Sequence, residues 1–590
     1  MCGIFAYIGK KNNAAEIIFN GLKTLEYRGY DSWGIATQNH KKIIIEKHLG
    51  KLPEKLPESD FSNHKSGIGI GHTRWATHGG VTLLNTHPHF DCTQQISVLH
   101  NGIIENYQEL KQELQAKNHV FKSETDTEVL AHLLEEYTKN DRLLDAMRKT
   151  FNRLRGLNAV VAVNANNKEI IAAKNGSPLV AGIDDNNEFF LASDTAGILP
   201  YTSKIIFLKD NELISLNKHY RLYSLTTGKE IKPKVETINW KVQQGSKGSY
   251  KHFMLKEINE QPRIINEIST TYTDRINKLC RYIKKAQGTF FIGSGTAFHA
   301  CIAGTYLFSK IAGRHVNTAP ASEFNYLENF LTEKSLIIPL SQSGETIDVI
   351  EPLNRARQKG SKIIAITNVL GSTIYRMSNY KLLLNAGPEK AVPSTKAYLA
   401  KISVLTMLAF ALTDRLNEGE KILQAAKKEI QRLLDKKSRT SIKTIANLLA
   451  EKEQIYIIGR GASYATALEG ALKIKEVSYI HTEGLAGGEL KHGTIALISK
   501  GIPCIVIAPH DETYDAVISN AIEIKSRGGI IFGISSRNNP VFDKYIEVKE
   551  TGSPLLTHVV PLQLLAYYIA IKKGLDPDKP RNLAKSVTVK

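Results

Sequence analysis

Cysteine is scarce: there are five in 590 residues, at positions 2, 92, 280, 301 and 504, an odd number spread far apart. Neither a disulfide framework nor a CxxC metal site fits that spacing, and a reducing, cytoplasmic setting does. Long hydrophobic runs are lacking too, so no stretch is expected to cross a bilayer and no membrane partner is expected. The opening MCGIFAYIGKKNN has no basic residue ahead of its short apolar run and no small-residue cleavage site after it, which argues against a signal peptide. Acidic residues are outnumbered, leaving a formal charge of +19. Such an excess can mark nucleic-acid binding, but the lysines are scattered and neither zinc-finger spacing nor an RNP-like motif occurs. The densest basic run, residues 427–443, alternates with Leu, Ile and Ala at helical spacing and reads as a solvated helix face. No nucleic-acid partner is expected.

What is present describes an ordinary globular chain, 42% hydrophobic and 23% charged, too long for one core; two to four domains are expected. Up to about residue 220 the pattern is short strands rich in Ile, Val and Phe, broken by Gly, Asn and Asp turns and interrupted by helical patterns at 14–25 and 128–138. That is a layered α+β domain. Residues 241–250 (KVQQGSKGSY) suit a linker. Buried-strand runs at 288–293, 335–340, 362–367, 454–458 and 503–508 then alternate with helices, as in parallel α/β sheets. FFIGSGTAFHA (290–300) and YIIGRGASYATA (456–467) repeat one strand–turn–helix pattern, so each opens a separate lobe.

Cys2 follows the initiator Met, which aminopeptidases remove before small residues. Removal leaves a thiol beside its own α-amine, an amine able to serve as its base; the plainer reading is an incidental buried cysteine. Its company decides between them. CGIFAYIG (2–9), LEYRGYDSWG (25–34), GHTRWATHG (71–79), NTHPH (85–89), HNGIIEN (100–106), SETDTE (123–128), GSPL (176–179) and ASD (192–194) occur in the order found in class II glutamine amidotransferases, which this region resembles. The resemblance implies a four-layered αββα N-terminal-nucleophile fold with Cys2 as nucleophile. An Asn side chain followed by a Gly N–H supplies two donors to a tetrahedral oxyanion, the role implied for Asn101 and Gly102. Glutamine's α-carboxylate needs a planar cation, which Arg74 matches, and its α-ammonium a carboxylate, which Asp126 matches. Thr77, His78 and Gly79 complete the implied substrate loop, and Trp75 resembles a residue that gates ammonia passage. His87 and His89 read as fold histidines and Arg28 as a buried ion pair.

In the second half, SQSGET (341–346) follows an apolar strand and opens a helix, where free N–H groups and the helix dipole favour an anion; a capping box would serve equally. Glu469, Lys473 and Glu476 fall on one helix face among apolar neighbours, so they are either a salt-bridge ladder or buried charges retained for catalysis. Residues 250–590 resemble the isomerase half of the glutamine–fructose-6-phosphate aminotransferases, built from two doubly wound α/β SIS (sugar isomerase) lobes. The resemblance implies phosphate binding by Ser341, Gln342, Ser343 and Thr346, sugar or phosphate contacts from Thr296, Val392 and Ser394, and a proton-shuttling base at Glu476 with Lys473 and Glu469 as its partners. It further implies ring opening by His492 and a Schiff base at Lys585 in the tail LDPDKPRNLAKSVTV (575–589), where partial desolvation would free the amine.

The expected organisation is a glutaminase domain (2–220), linker and lead-in (221–278), two SIS domains (279–418 and 446–581) and a catalytic tail (575–590). The implied substrates are L-glutamine and D-fructose 6-phosphate, the implied product D-glucosamine 6-phosphate, and the implied assembly a homodimer or larger homo-oligomer; no metal or cofactor is expected. Ala297, Lys390, Ala391, Pro393 and Leu485 depart from the usual pattern near the sugar pocket. Two other readings stay open: a related enzyme acting on another sugar phosphate, and a silent phosphosugar sensor, although a sensor needs none of Cys2, Glu476 and Lys585.

Overall fold

A computed structural model describes residues 2–57, 65–238 and 247–587. The chain divides into two compact units, Met1–Gln243 with Ser586–Lys590, and Gln244–Lys585.

The first unit stacks two antiparallel sheets. One runs in the order Val235–Thr237, Lys204–Phe207, Val180–Ile183, Phe189–Ala192, Gly3–Ile8, Ile68–Arg74, Ser32–Asn39, Lys42–Leu49. The other runs Glu230–Ile231, Tyr220–Ser224, Glu212–Leu216, Asn167–Asn175, Asn158–Asn164, Ile96–Gly102, His89–Phe90. Alternation along each strand explains the layering. From Gly3–Ile8, Ile4, Ala6 and Ile8 face the other sheet, whereas Phe5 and Tyr7 face the helix Ala14–Leu25. From Ile96–Gly102, Leu99 joins the layer between the sheets and Val98 the layer under helices Glu128–Thr138 and Leu143–Phe151. Four layers result, αββα.

The domain boundary at 220 needs correction. Tyr220–Ser224, Glu230–Ile231 and Val235–Thr237 are strands of these two sheets, so the first unit continues beyond it. They are short and half exposed, which is why they read as linker. Residues 241–246 of the expected linker lie outside the described residues.

The second unit holds two parallel five-stranded sheets. The first has the order Asn317–Pro320, Gly288–Gly293, Ser335–Ser341, Lys362–Thr367, Tyr380–Leu383; the second has His481–Ala486, Gln454–Gly459, Pro503–Ala508, Ile530–Ser535, Lys544–Glu547. In each the second strand lies outside the first, and the order then runs on from the third. Ligands of such sheets bind at the carboxyl ends where the order reverses. In the first lobe that places the turn before Thr296 beside the loop after Ser341. Helix Lys396–Ala411 is buried at every residue.

The expectation that no stretch is long enough to cross a bilayer is also corrected: Pro554–Lys572, 19 residues with mean hydropathy 1.5, is long and apolar enough, and 83% of its window is buried inside the protein. A helix apolar all round is what an encased core helix requires. Its buried Gln563 is satisfied by Gln261, whose Nε2 donates to Gln563 Oε1 at 2.9 Å.

Candidate active sites

Cys2 stands at the head of the central strand Gly3–Ile8, where the neighbouring strand Ile68–Arg74 ends in Arg74 and Trp75. The Trp75 backbone clasps its sulfur: the Trp75 N–H donates to Sγ at 3.2 Å, and the thiol faces the Trp75 carbonyl at 3.5 Å. Burial pushes the Cys2 thiol up, against the pull of the Trp75 N–H and the Arg74 charge. A pocket opens over it, lined by Arg74, Trp75, Thr77, His78, Asn101, Gly102 and Asp126. Thus the expected glutamine-site residues converge, with Gly79 present through its carbonyl.

Asn101 Nδ2 donates to the Cys2 carbonyl at 3.0 Å, and its Oδ1 accepts from His72 Nε2 at 3.1 Å, which fixes the amide's orientation towards the nucleophile. Gly102 has φ +140, and a Cβ there would meet the Leu157 carbonyl oxygen at 2.3 Å; only glycine fits. Arg74 donates to the carbonyls of His78 (2.6 Å), Gly79 (3.0 Å) and Gly80 (2.9 Å), so it shapes the loop it lines. Asp126 Oδ2 accepts the Ile104 N–H at 2.8 Å, tying this carboxylate to the segment just past Gly102.

His87 and His89 are the fold histidines expected, and they join His72 and His100, which sequence reasoning did not single out, in a scaffold beneath these groups. The His72 and His87 rings lie tilted with centroids 4.3 Å apart, and His87 meets His89 edge to face at 4.7 Å. Thr127 Oγ1 lies 2.9 Å from His87 Nε2 and 3.0 Å from His100 Nδ1, and His100 Nε2 lies 2.9 Å from Asn158 Oδ1. With every ring neutral the polarity is set: His87 donates to Thr127, Thr127 to His100, and His100 to Asn158. Burial holds His72 down to about 3, pushes His87 and His89 well below the ordinary imidazole value, and lowers His100. Arg28 pairs with Asp194 at 2.8 Å, the buried ion pair expected.

A pH dependence follows. A histidine whose folded value is depressed favours folding while neutral. That contribution is complete above about pH 6.5 and is lost as pH falls towards the folded value, at about 1.4 kcal/mol per pH unit for each ring. The melting temperature of the first unit is expected to drop steadily below pH 6.5, with His72 contributing down to about 3. A calorimetric profile flat from pH 7 to pH 5 contradicts this.

In the second unit, Glu469, Lys473 and Glu476 share one face of helix Ser463–Ser478. Lys473 Nζ lies 2.6 Å from Glu476 and 3.5 Å from Glu469, and the Glu469 and Lys473 side chains are fully buried while Glu476 is 19% exposed. This is a buried network, not a surface ladder. Lys473 donates to Thr296 Oγ1 at 2.9 Å, Thr296 donates to Glu469 Oε1 at 3.1 Å, and His299 Nδ1 meets Glu469 Oε2 at 2.8 Å. Thr296 and His299 lie on helix Thr296–Ala312 of the other lobe, so the network joins both lobes. Burial raises the Glu476 carboxyl against the pull of Lys473, as befits a group that must take and return a proton.

Lys585, only 3% exposed, forms an ion pair at 2.6 Å with Glu389, a fully buried carboxylate that sequence reasoning missed. Burial raises Glu389, but Lys585 and the N–H groups of Thr395 and Ala397 hold it down to about 2. Ser394 also donates to Glu389, at 2.8 Å, so in this structure its hydroxyl orients the carboxylate. Lys585 additionally donates to the Ala391 carbonyl at 2.8 Å. The tail carrying it is anchored by Asp578, whose carboxylate accepts the N–H groups of Phe253 and Met254 at 2.8 Å and whose carbonyl accepts the Val392 N–H at 2.9 Å. The two clusters feel each other: Lys585 lowers Glu476, and Glu389 raises Lys473. Two more buried groups flank them, Glu257 raised by burial and Glu389 to about 8, and Lys401 lowered by burial to about 8.

The loop after Ser335–Ser341 turns at Gly344, φ +68, where a Cβ would meet Ser372 Oγ at 2.0 Å. Ser341 Oγ accepts the Gly344 N–H at 2.9 Å, Ser343 Oγ accepts the Glu345 N–H at 3.2 Å, and the Gln342 carbonyl accepts the Asn368 N–H at 3.2 Å. Thr346 stands at the N-cap of helix Ile347–Gln358 without a side-chain cap bond, so no capping box forms. His492 is not brought to these groups. It ends the short turn Gly487–His492, exposed, with no hydrogen bond or ion pair to Glu476, Lys473 or Lys585 among the described residues.

Comparison with known proteins agrees with this division. The SIS domain family matches residues 282–411 and 448–573, and the family described as glutamine amidotransferase domain matches residues 82–200. Proteins named glutamine–fructose-6-phosphate aminotransferase [isomerizing] from Thermococcus kodakarensis and Pyrococcus horikoshii are 44% and 43% identical to this chain, each covering all of both sequences. The C-terminal domain of glucosamine-fructose-6-phosphate aminotransferase from Francisella tularensis superposes with TM-score 0.53 at 32% identity, covering 57% of this chain and all of that one.

Proposed function

The chain belongs to the family of isomerizing glutamine–fructose-6-phosphate aminotransferases, and on that premise we propose that it converts L-glutamine and D-fructose 6-phosphate into L-glutamate and D-glucosamine 6-phosphate. The observation that carries the proposal is the coexistence in one polypeptide of a clasped, oxyanion-ready Cys2 and a buried Lys585 coupled to a proton-handling Glu476.

In the first half-reaction the Cys2 thiolate attacks the glutamine carboxamide. Asn101 Nδ2 and the Gly102 N–H receive the developing oxyanion, Arg74 the α-carboxylate and Asp126 the α-ammonium. Ammonia leaves, and water cleaves the γ-glutamyl thioester to glutamate. Because burial raises this thiol, it needs a base, and the α-amine freed by removal of Met1 is the nearest candidate. Trp75, whose backbone already holds the sulfur, gates ammonia in this reading.

In the second half-reaction the Ser341–Thr346 loop holds the phosphate. Lys585 Nζ attacks the C2 carbonyl of the open-chain sugar, losing water to give a Schiff base. Ammonia then displaces Lys585, and Glu476 carries the proton between C1 and C2 that turns ketose into aldose, with Lys473 holding it in place. A homo-oligomer of at least two copies, in the cytoplasm, belongs to the same reading.

The test is isotopic. Glutamine labelled with 15N at the amide, incubated with fructose 6-phosphate, should yield glucosamine 6-phosphate carrying the label. Label appearing only in free ammonia, or in an amino sugar made solely from another ketose phosphate, defeats the proposal.

A further inference from the structure

Apart from the pocket over Cys2, the first unit gathers four ligand-type side chains that the glutaminase chemistry does not use. Cys92 follows strand His89–Phe90, His119 lies between helices Tyr107–Ala116 and Glu128–Thr138, and His132 and Glu135 lie one turn apart on the latter helix. Their ligand atoms all fall within 4.8 Å of one another. Cys92 Sγ is 3.7 Å from His119 Nδ1 and 3.5 Å from His132 Nδ1; Glu135 Oε2 is 3.0 Å from His119 Nδ1 and 3.3 Å from His132 Nδ1. A tetrahedral zinc with bonds of about 2.0–2.3 Å separates its sulfur and nitrogen ligands by about 3.5 Å and its nitrogen and oxygen ligands by about 3.3 Å. Those four separations, 3.0 to 3.7 Å, already lie near that spacing.

The surroundings match what a metal needs. His119 directs its other ring nitrogen, Nε2, to Glu136 Oε1 at 3.0 Å, the carboxylate–histidine arrangement that orients imidazole ligands, and Glu128 Oε1 lies 3.7 Å from His132 Nε2. The Val120 N–H points to Cys92 Sγ at 3.4 Å and can support a thiolate. His119 and His132 are buried, and Cys92 is exposed, which gives an ion a route in. One soft sulfur, two imidazoles and one carboxylate in tetrahedral spacing favour zinc, and four protein ligands mark a closed, structural site.

We propose that Cys92, His119, His132 and Glu135 form a zinc site that staples the turn after strand His89–Phe90 and the connection at His119 to helix Glu128–Thr138. That helix begins directly after Asp126 and Thr127, which line the glutamine pocket, so the staple steadies one wall of it. No metal is expected from sequence, and the proposal departs from that expectation. Cys92 lies 27 residues from His119 and 40 from His132, so only the fold reveals the set.

The test uses the full-length, tag-free chain, stripped with a chelator and dialysed against zinc. Elemental analysis should find one zinc per chain, and Cys92→Ser should lose it. Cobalt in place of zinc should give the visible bands of a tetrahedral site and a thiolate charge-transfer band, both absent in Cys92→Ser. Glu136→Gln should weaken zinc binding about 10- to 100-fold with the stoichiometry intact. A wild-type chain that stays zinc-free, or a Cys92→Ser chain with undiminished zinc and cobalt spectra, overturns the proposal.

Discussion

Replacing Cys2 by alanine is expected to remove glutamine hydrolysis, and with it glutamine-driven amino-sugar formation, by a factor on the order of 10^3 to 10^6, the range seen when an enzyme loses its nucleophile. The Asn101, Gly102 and Arg74 contacts do not depend on the thiol: Asn101 bonds the Cys2 carbonyl, and Arg74 bonds loop carbonyls. Glutamine should therefore still bind the variant with a dissociation constant near the wild-type KM while turnover vanishes. The second unit has its own hydrophobic core, running from Met254 to Ala570, so it should stay folded and keep isomerising fructose 6-phosphate. Calorimetric titration with glutamine, a glutamate-release assay and an isomerisation assay on one preparation separate these outcomes. Undiminished glutamate release would place the nucleophile elsewhere, and loss of all three activities together would point to misfolding.

Much of this was legible because it is local. The parallel strands 288–293 and 503–508 announce themselves as short, largely apolar runs, since both faces of each sheet are covered. Helix Ala14–Leu25 shows through its apolar spacing, with eight of its residues buried. Helix Tyr107–Ala116 did not show, because it buries only Leu110 and Leu114 and presents polar residues elsewhere. Cys2, Arg74, Asn101 and Asp126 were readable since each sits in its own short motif. The groups that position them were not: Thr127 serves His87 and His100 across 40 and 27 residues, and Glu389 meets Lys585 across 196. The single acidic residue in the loop GPEKAVPSTKAY was the one available hint of Glu389, and it gains meaning only when the tail is laid against it.

That pairing carries the second large effect. Lys585→Ala is expected to lower conversion of fructose 6-phosphate by about 10^3-fold or more, while glutamine hydrolysis by the first unit survives. Borohydride added to the wild-type chain with fructose 6-phosphate should trap a sugar on the peptide containing Lys585, and none on the variant. Glu389→Gln probes a different quantity. The carboxylate accepts from Lys585, Ser394, Thr395 and Ala397 while fully buried, so neutralising it leaves a buried ammonium without its counter-charge and loosens the loop that bears Val392 and Ser394. Breaking a buried pair costs about 3–5 kcal/mol, and the second unit should unfold at correspondingly lower denaturant. Glu389 is thus a positioning residue. Its loss should still permit the trapped adduct at a reduced rate, whereas loss of Lys585 should permit none. An adduct formed at the wild-type rate by Lys585→Ala would mean that the sugar's carbonyl is engaged by another amine. Lys401, buried nearby and lowered to about 8, is the amine to examine in that event.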